Sequence, residues 1–321
     1  MSRPLLILIV AFFLSVSCSR QEEIYLFSSF HEPATDGLYL AYSYDGYHWN
    51  DLGGSFLEPE VGKDSLMRDP SVVRDPGGTF HMVWTSSWQG DHGFGYASSE
   101  DLIHWSEQKF IPVMQHEPST VNVWAPEICY DSDSGTFIII WASTIPYRFE
   151  RGIEEERNNH RMYYTTTEDF EVFSETKLFL DPGFSVIDAV IVPRAEEDFV
   201  LVLKDNTRPN RNLKVAFGKS PLGPWMEISE PWTQNFTEGP TILRSGEEWL
   251  IYFDAYREKK YGAVKTRDFK NFKDISGEIS LPEGHKHGTI FKADESILEE
   301  LKRKADELKE KPGMMKEGTD E

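Results

Sequence analysis

Two short patterns recur five times each along this 321-residue chain, in the same order every time. The first is a strand-like stretch, a polar turn and a closing aromatic: YSYDGYHW (42–49), YASSEDLIHW (96–105), YYTTTEDFEVF (163–173), VAFGKSPLGPW (215–225) and AVKTRDFKNF (263–272). The closing aromatics Trp49, Trp105, Phe173, Trp225 and Phe272 lie 56, 68, 52 and 47 residues apart. The second is an aromatic-led apolar run: IYLFSSF (24–30), TFHMVWTSS (79–87), TFIIIWAS (136–143), DFVLVLKD (198–205) and EWLIYFDAY (248–256). These runs have strand length, β-branched and aromatic content, and turn residues on both sides. A unit of about 50 residues that supplies an inner strand, a turn and an outer strand has the size of one propeller blade. The expectation is an all-β fold, a five-bladed β-propeller over residues 22–292. Its first unit begins at Ile24 and its last returns near His287, so closure should pair strands from the two ends of the chain and remove exposed edges. Two unrelated sandwiches would not repeat one order of elements five times.

The flanks read differently. Met1–Ser17 carries Arg3, an apolar run from Leu5 to Phe13 and small residues before Cys18. That is an export signal, too short to span a bilayer, which takes about 20 apolar residues. Its end resembles a lipoprotein signal, with Cys18 as the lipidated mature terminus, although Leu14 sits one place too far from the cysteine. The expected location is the periplasm or outer membrane of a Gram-negative bacterium, with ordinary secretion the alternative. Residues 293–321 read as a short charged C-terminal helix, from Asp294 to Lys311, and an acidic tail. Ile297, Leu298, Leu301, Ala305 and Leu308 share one helix face, and Pro312 and Gly313 stop the helix. A formal charge of −21 lacks the basic footprint that nucleic acid requires. Two cysteines make neither a disulfide scaffold nor a thiolate zinc site, and Cys129 is expected to be a buried structural thiol.

Carboxylates at the starts of inner strands carry the chemistry. Asp69 stands in MRDPSVV, Asp188 alone in the apolar run FSVIDAVIV, and Glu238 in FTEGPTILR, each in a different blade. A charge in an apolar inner strand is costly unless it is paired or functional. Asp75, before Pro-Gly-Gly, reads as a turn residue. Trp88 and Trp124 fall at loop ends where an indole could line a binding pocket, and Lys204 and Arg257 follow apolar runs where they could bind a polar ligand. Glu127 could help position substrate. His160 and His285 are expected on the surface, and His287 in the channel.

These segments, with WAPEI before SGTFIIIWAS, EEWLIYFD and KHGTIF, resemble glycoside hydrolase family 43 from about Tyr25 to Phe291. The resemblance implies a five-bladed propeller that cleaves glycosidic bonds with inversion. It assigns Asp69 as general base, Asp188 as the residue that tunes the acid and orients substrate, and Glu238 as general acid. It also implies that His287 stands beside a calcium ion in the central channel; Lys286 replaces the arginine common at that place. Inversion needs two carboxyls about 6.5–9.5 Å apart, which opposite walls of a channel can provide. The expected activity is release of terminal α-L-arabinofuranosyl residues from plant oligosaccharides or polysaccharides by a monomer with no organic cofactor. A β-xylosidase, a galactan- or galactofuranoside-cleaving enzyme and a non-catalytic glycan-binding propeller are the alternatives. SYDGYHW resembles the Asp-box of sialidases but is one residue short, and no arginine triad accompanies it.

Overall fold

The computed structural model of the protein describes residues 23–310. Residues 1–22, with the expected signal and Cys18, and residues 311–321 lie outside the described part. Five antiparallel sheets succeed one another. The first holds β1 (Glu23–Ser29), β2 (Tyr39–Ser43) and β3 (Asn50–Asp51). The second holds β4 (Arg68–Arg74), β5 (Phe80–Thr85), β6 (Phe94–Ser99) and β7 (Lys109–Ile111). The third holds β8 (Trp124–Asp131), β9 (Thr136–Thr144), β10 (His160–Thr167) and β11 (Lys177–Leu180). The fourth has three strands, β12 (Val186–Ala195), β13 (Asp198–Asp205) and β14 (Asn212–Gly218). The fifth has β15 (Glu238–Ser245), β16 (Glu248–Ala255), β17 (Lys260–Thr266) and β18 (Lys273–Asp274). The chain then returns to the first sheet as β19 (Ile290–Asp294), which pairs with β1 from Glu23↔Asp294 to Phe27↔Ile290. This is a five-bladed β-propeller closed by strands from both ends of the described chain.

The aromatic-led runs turn out to be the second strand of each blade, not the one nearest the axis. Position two explains their composition, because such a strand is covered on both faces by neighbouring blades. Successive side chains point to opposite faces, so in β9 Ile139 and Trp141 enter the seam with the second blade while Ile138, Ile140 and Ala142 enter the seam with the fourth. Five apolar clusters result, one per seam. Each fully buried large side chain contributes about 1.5–3 kcal/mol. Gly95, opposite Trp84 across β5 and β6, has no tolerance for a side chain: a Cβ there would lie 2.1 Å from the indole.

The turns closing the outer strands share one construction in four blades. A Ser or Thr hydroxyl accepts the N–H three residues on, at 2.8–2.9 Å: Ser43 from Gly46, Ser99 from Leu102, Thr167 from Phe170, Thr266 from Phe269. An Asp two residues after the hydroxyl accepts two further backbone N–H groups: Asp45, Asp101, Asp169 and Asp268. Against a burial penalty, the bonds from His104 hold the Asp101 carboxyl down at about 2. The fourth blade lacks this turn, and Met226, Ser229, Trp232 and Thr233 cover the edge of β14 instead.

After β19 comes α1 (Glu295–Glu310), whose Ile297, Leu298, Leu301 and Ala305 fill the seam between the first two blades. Leu308 completes the expected apolar face against Gly54. Asp75 is a turn residue, accepting from the Thr79 N–H and from His81. Cys129 is a partly buried thiol on the inner strand β8, and burial pushes it up so that it stays protonated.

Candidate active site

The inner strands are not regular. Each of four pairs with its neighbour across a register shift near its start: Arg68 to Ser71, Trp124 to Glu127, Ile187 to Val190 and Glu238 to Thr241. The second residue of each bulge has a positive φ: 52° at Asp69, 43° at Ala125, 49° at Asp188 and 56° at Gly239. For a residue with a side chain that conformation costs about 1–2 kcal/mol, and Asp tolerates it better than most. Ser71 Oγ accepts the Ile128 N–H at 3.1 Å, and Thr241 Oγ1 accepts the Ile290 N–H at 2.8 Å. This repeated link between blades puts His287, three residues before Ile290, at the step that Asp69 and Asp188 hold in their own blades. One backbone position thus presents Asp69, Ala125, Asp188, Gly239 and His287 around the axis.

Asp69 is clamped. Thr85 Oγ1 donates to its Oδ2 at 2.9 Å, and His287 Nδ1 stands 3.2 Å from its Oδ1. Gly239 N–H donates to Asp188 Oδ2 at 3.1 Å, and a Cβ on Gly239 would fall 2.6 Å from His287 Cγ. Only glycine lets the imidazole pack there. Glu238, one step before this glycine, accepts from Lys204 Nζ at 2.6 Å on Oε2. Asp69, Glu238 and His287 line a cavity of about 1040 Å³ together with Phe30, Glu32, Arg68, Asp254, Tyr256 and Lys286. Asp188 is buried behind the wall, reached through Gly239.

Burial opposes the charge on Asp69, but the His287 bond, the charges of His287 and Arg68 and the Thr85 hydroxyl outweigh it and hold the carboxyl below the usual range. Burial disfavours charge on His287 too, yet Asp69, Asp188 and Glu127 keep its proton on up to about 9. Asp188 is pushed up, first by burial and then by the neighbouring charges of Glu238 and Asp69, against the pull of His287 and Lys204. Burial drives Glu127 to about 7. The site therefore sets a carboxylate held ionised, Asp69, near buried acids that charge less readily, Asp188 and Glu127. His287 Nδ1 is turned to Asp69, which leaves Nε2 as the ring atom that could face a calcium ion or the waters around it. Among the described residues no group of three or more His, Cys, Asp and Glu is arranged to hold a metal.

The other expected contacts divide. Trp88 is 51% exposed, but its ring is part of a stack that starts at Arg68 on the cavity wall. Arg68 lies over Phe30 at 4.6 Å and over Trp88 at 5.2 Å, Trp88 packs on Trp124 at 4.6 Å, and Trp124 on His160 at 4.9 Å. Trp124 Nε1 also donates to the Trp88 carbonyl. Trp124 is thus held between two rings. Lys204 is buried against Glu238, not open to solvent. Arg257 is exposed and not among the residues lining the cavity, with its guanidinium 3.3 Å from the Phe236 ring centre. Two histidines correct the sequence reading. His160 is fully buried in the stack and driven to about 3 by burial, so it is neutral; His285 is buried against Ser29, 2.5 Å from its hydroxyl.

Sequence reasoning missed Arg68, Glu32 and Asp254. Arg68 forms a two-pronged pair with Glu32 at 2.9 and 3.0 Å on the cavity wall. Asp254 is buried directly across from Glu238 in the β15–β16 register and accepts from Lys286 at 3.0 Å. Asp254 in EWLIYFDAY carries the same signal as Asp188, a charge inside an apolar strand.

A family model described as "Probable glycosyl hydrolase domain", of the family-43-related type, matches residues 21–296. No protein of curated function matches the chain in sequence. Among solved structures, an α-L-arabinanase of Cellvibrio cellulosa complexed with arabinohexaose is similar at 13% identity and a TM-score of 0.58, over 81% of this chain and 95% of that one. A thermostable family-43 glycoside hydrolase is similar at 15% identity and a TM-score of 0.54, over 69% and 78%. A Hadza microbial sialidase is similar at 13% identity and a TM-score of 0.55, over 81% and 71%. At these identities the likeness is one of fold.

Proposed function

The chain belongs to the family-43-related glycosyl hydrolase domain family and is a glycoside hydrolase of that type, and on that premise we propose that it is an inverting exo-glycosidase releasing terminal pentose, foremost α-L-arabinofuranosyl, from plant glycans. The observation that carries the reading is that Asp69, Glu238 and His287 line one cavity, with Asp188 bonded to Gly239 behind its wall. In this reading Glu238 protonates the glycosidic oxygen as the C–O bond breaks. Asp69, held ionised by His287 and Thr85, takes a proton from the water that attacks the opposite face of the sugar. Asp188 supplies a second negative charge behind the wall and, through Gly239, fixes the strand that carries Glu238. Arg68, the one arginine among the described residues lining the cavity, is committed to Glu32. That favours a neutral sugar over the carboxylate-bearing sugar of a sialidase. The exported, lipid-anchored location is part of the same proposal and rests on residues 1–18; radiolabelled fatty acid incorporated by the native chain but not by Cys18→Ser tests it.

A panel of nitrophenyl glycosides, including α-L-arabinofuranoside, β-D-xyloside and β-D-galactofuranoside, with the first-formed anomer followed by NMR, tests the reaction. Release of the inverted anomer from the arabinofuranoside is the expected result. Retention would remove Asp69 as base, and cleavage of another glycoside alone would replace the sugar.

A further inference from the structure

Lys204 is the deepest cation of the site. It lies on β13 opposite Ile187, beside the bulge that carries Asp188, and its side chain is 3% exposed. Four groups face it: Glu238 from β15 at 2.6 Å, Asp188 from β12, the Tyr256 ring beyond β16 at 5.3 Å, and neutral His160 from β10. Burying an ammonium without a partner is prohibitive, so its bond to Glu238 is a fixed feature of the blade seam rather than a surface ion pair. The bond goes to Oε2. A carboxyl protonated on Oε1 still accepts from an ammonium on Oε2, so the bond is compatible with both protonation states.

We infer that Lys204 is a positioning residue for the proton donor: it grips Glu238 by Oε2, directs Oε1 to the glycosidic oxygen, and stabilises the carboxylate that proton transfer leaves behind. The inference rests on the proposed role of Glu238. As the C–O bond breaks, its electron pair passes to the leaving oxygen, which takes the proton from Oε1, and negative charge grows on a group already bonded to a cation. A preorganised donor aimed at charge that develops in the transition state accelerates the step. Such help matters when the leaving group needs the proton and little when it does not.

The test compares two glycosides of the sugar the wild-type enzyme cleaves, one with an alkyl leaving group and one with 2,4-dinitrophenolate, on wild type, Lys204→Met, Lys204→Gln and Lys204→Arg. On the acid-side plateau the two neutral variants should lose about 100-fold in kcat on the alkyl glycoside and only a few-fold on the dinitrophenyl glycoside. The alkaline limb of their profiles should move to higher pH, and Lys204→Arg should recover most of the loss. Lys204→Gln, which keeps a donor of similar reach, stands in if the methionine variant fails to fold. Equal losses on both substrates would mean that Lys204 only supports the fold, and no loss on either would mean it does not act on Glu238; both overturn the inference while Glu238→Gln still tests the donor. A wild-type protein that cleaves neither glycoside would sink the glycosidase reading and this inference with it.

Discussion

The turn that closes the outer strands of a blade and the bulge that opens its inner strand are both repeated around the ring, at opposite ends of the strands. The turn repeats its residues: a hydroxyl, an Asp two places on and a positive-φ residue after it, in four blades. The bulge repeats its backbone and changes its residue each time, from Asp69 to Ala125, Asp188 and Gly239. The turn does the same work in each blade, satisfying backbone N–H groups, so the same side chains serve. The bulges ring one axis with similar backbone angles, so a different residue at each gives each blade a different part in the site. A symmetric scaffold becomes an asymmetric site by substitution at a fixed backbone position.

The largest expected effects come from exchanging residues within the bulge ring. Asp69→Asn and Glu238→Gln should each reduce turnover on a poor-leaving-group glycoside by about 10³-fold or more while calorimetric binding of the sugar product persists. Gly239→Ala places a methyl into His287 and a side chain at φ 56°. It should lower both melting temperature and activity, whereas Ala125→Gly, at the one ring position without a polar side chain or a close neighbour of this kind, should leave kcat near wild type. Comparable losses from both would show that the ring is uniform scaffold and that the distinction between positions is false.

A smaller effect separates two neighbours of Asp69. The base form of Asp69 exists above its depressed pKa, so activity falls as pH drops through that value. His287→Asn removes the main hold on the carboxylate, and the acidic limb of the kcat/KM profile should move to higher pH. Asp188, pushed up by burial, is already protonated where Asp69 titrates, so Asp188→Asn exchanges one neutral group for another and should leave the same limb in place. Limbs that move together would place the titrating group elsewhere than Asp69.

The two regions also differ in how far they can be read from sequence. Five repeats in one order were enough for the propeller, its closure and the helix after it, because turn chemistry and apolar runs are local. Their depth was misplaced: a run covered on both faces looks innermost, while the true inner strands carry polar bulge residues and look like loops. In the site, Asp69, Asp188 and Glu238 stood out as charges in apolar or proline-marked strands. Arg68 and Glu32 did not, and Lys204 read as a sugar contact rather than a partner of Glu238, since residues 36 and 34 places apart in sequence meet only when blades pack. His160 and His285 look like surface residues for the same reason; nothing nearby in the chain announces the Trp124 ring or the Ser29 hydroxyl that buries each.

The weakest expected effect is on the turns, and it tests whether they are scaffold alone. Asp101 accepts the N–H groups of Ile103 and His104, and each such bond contributes about 1 kcal/mol, so Asp101→Ala should cost roughly 1–2 kcal/mol in urea unfolding with kcat unchanged. The pH dependence has a definite sign. The folded carboxyl is held at about 2, while an unfolded Asp titrates near 3.9, so the turn's contribution is complete above about pH 4 and is lost as pH falls toward 2. The difference in stability between wild type and Asp101→Ala should accordingly shrink on going from pH 5 to pH 2.5. A turn variant that instead lowered kcat at constant stability would show that the two ends of the blade communicate, and the division between repeated structure and varied chemistry would fail at that blade.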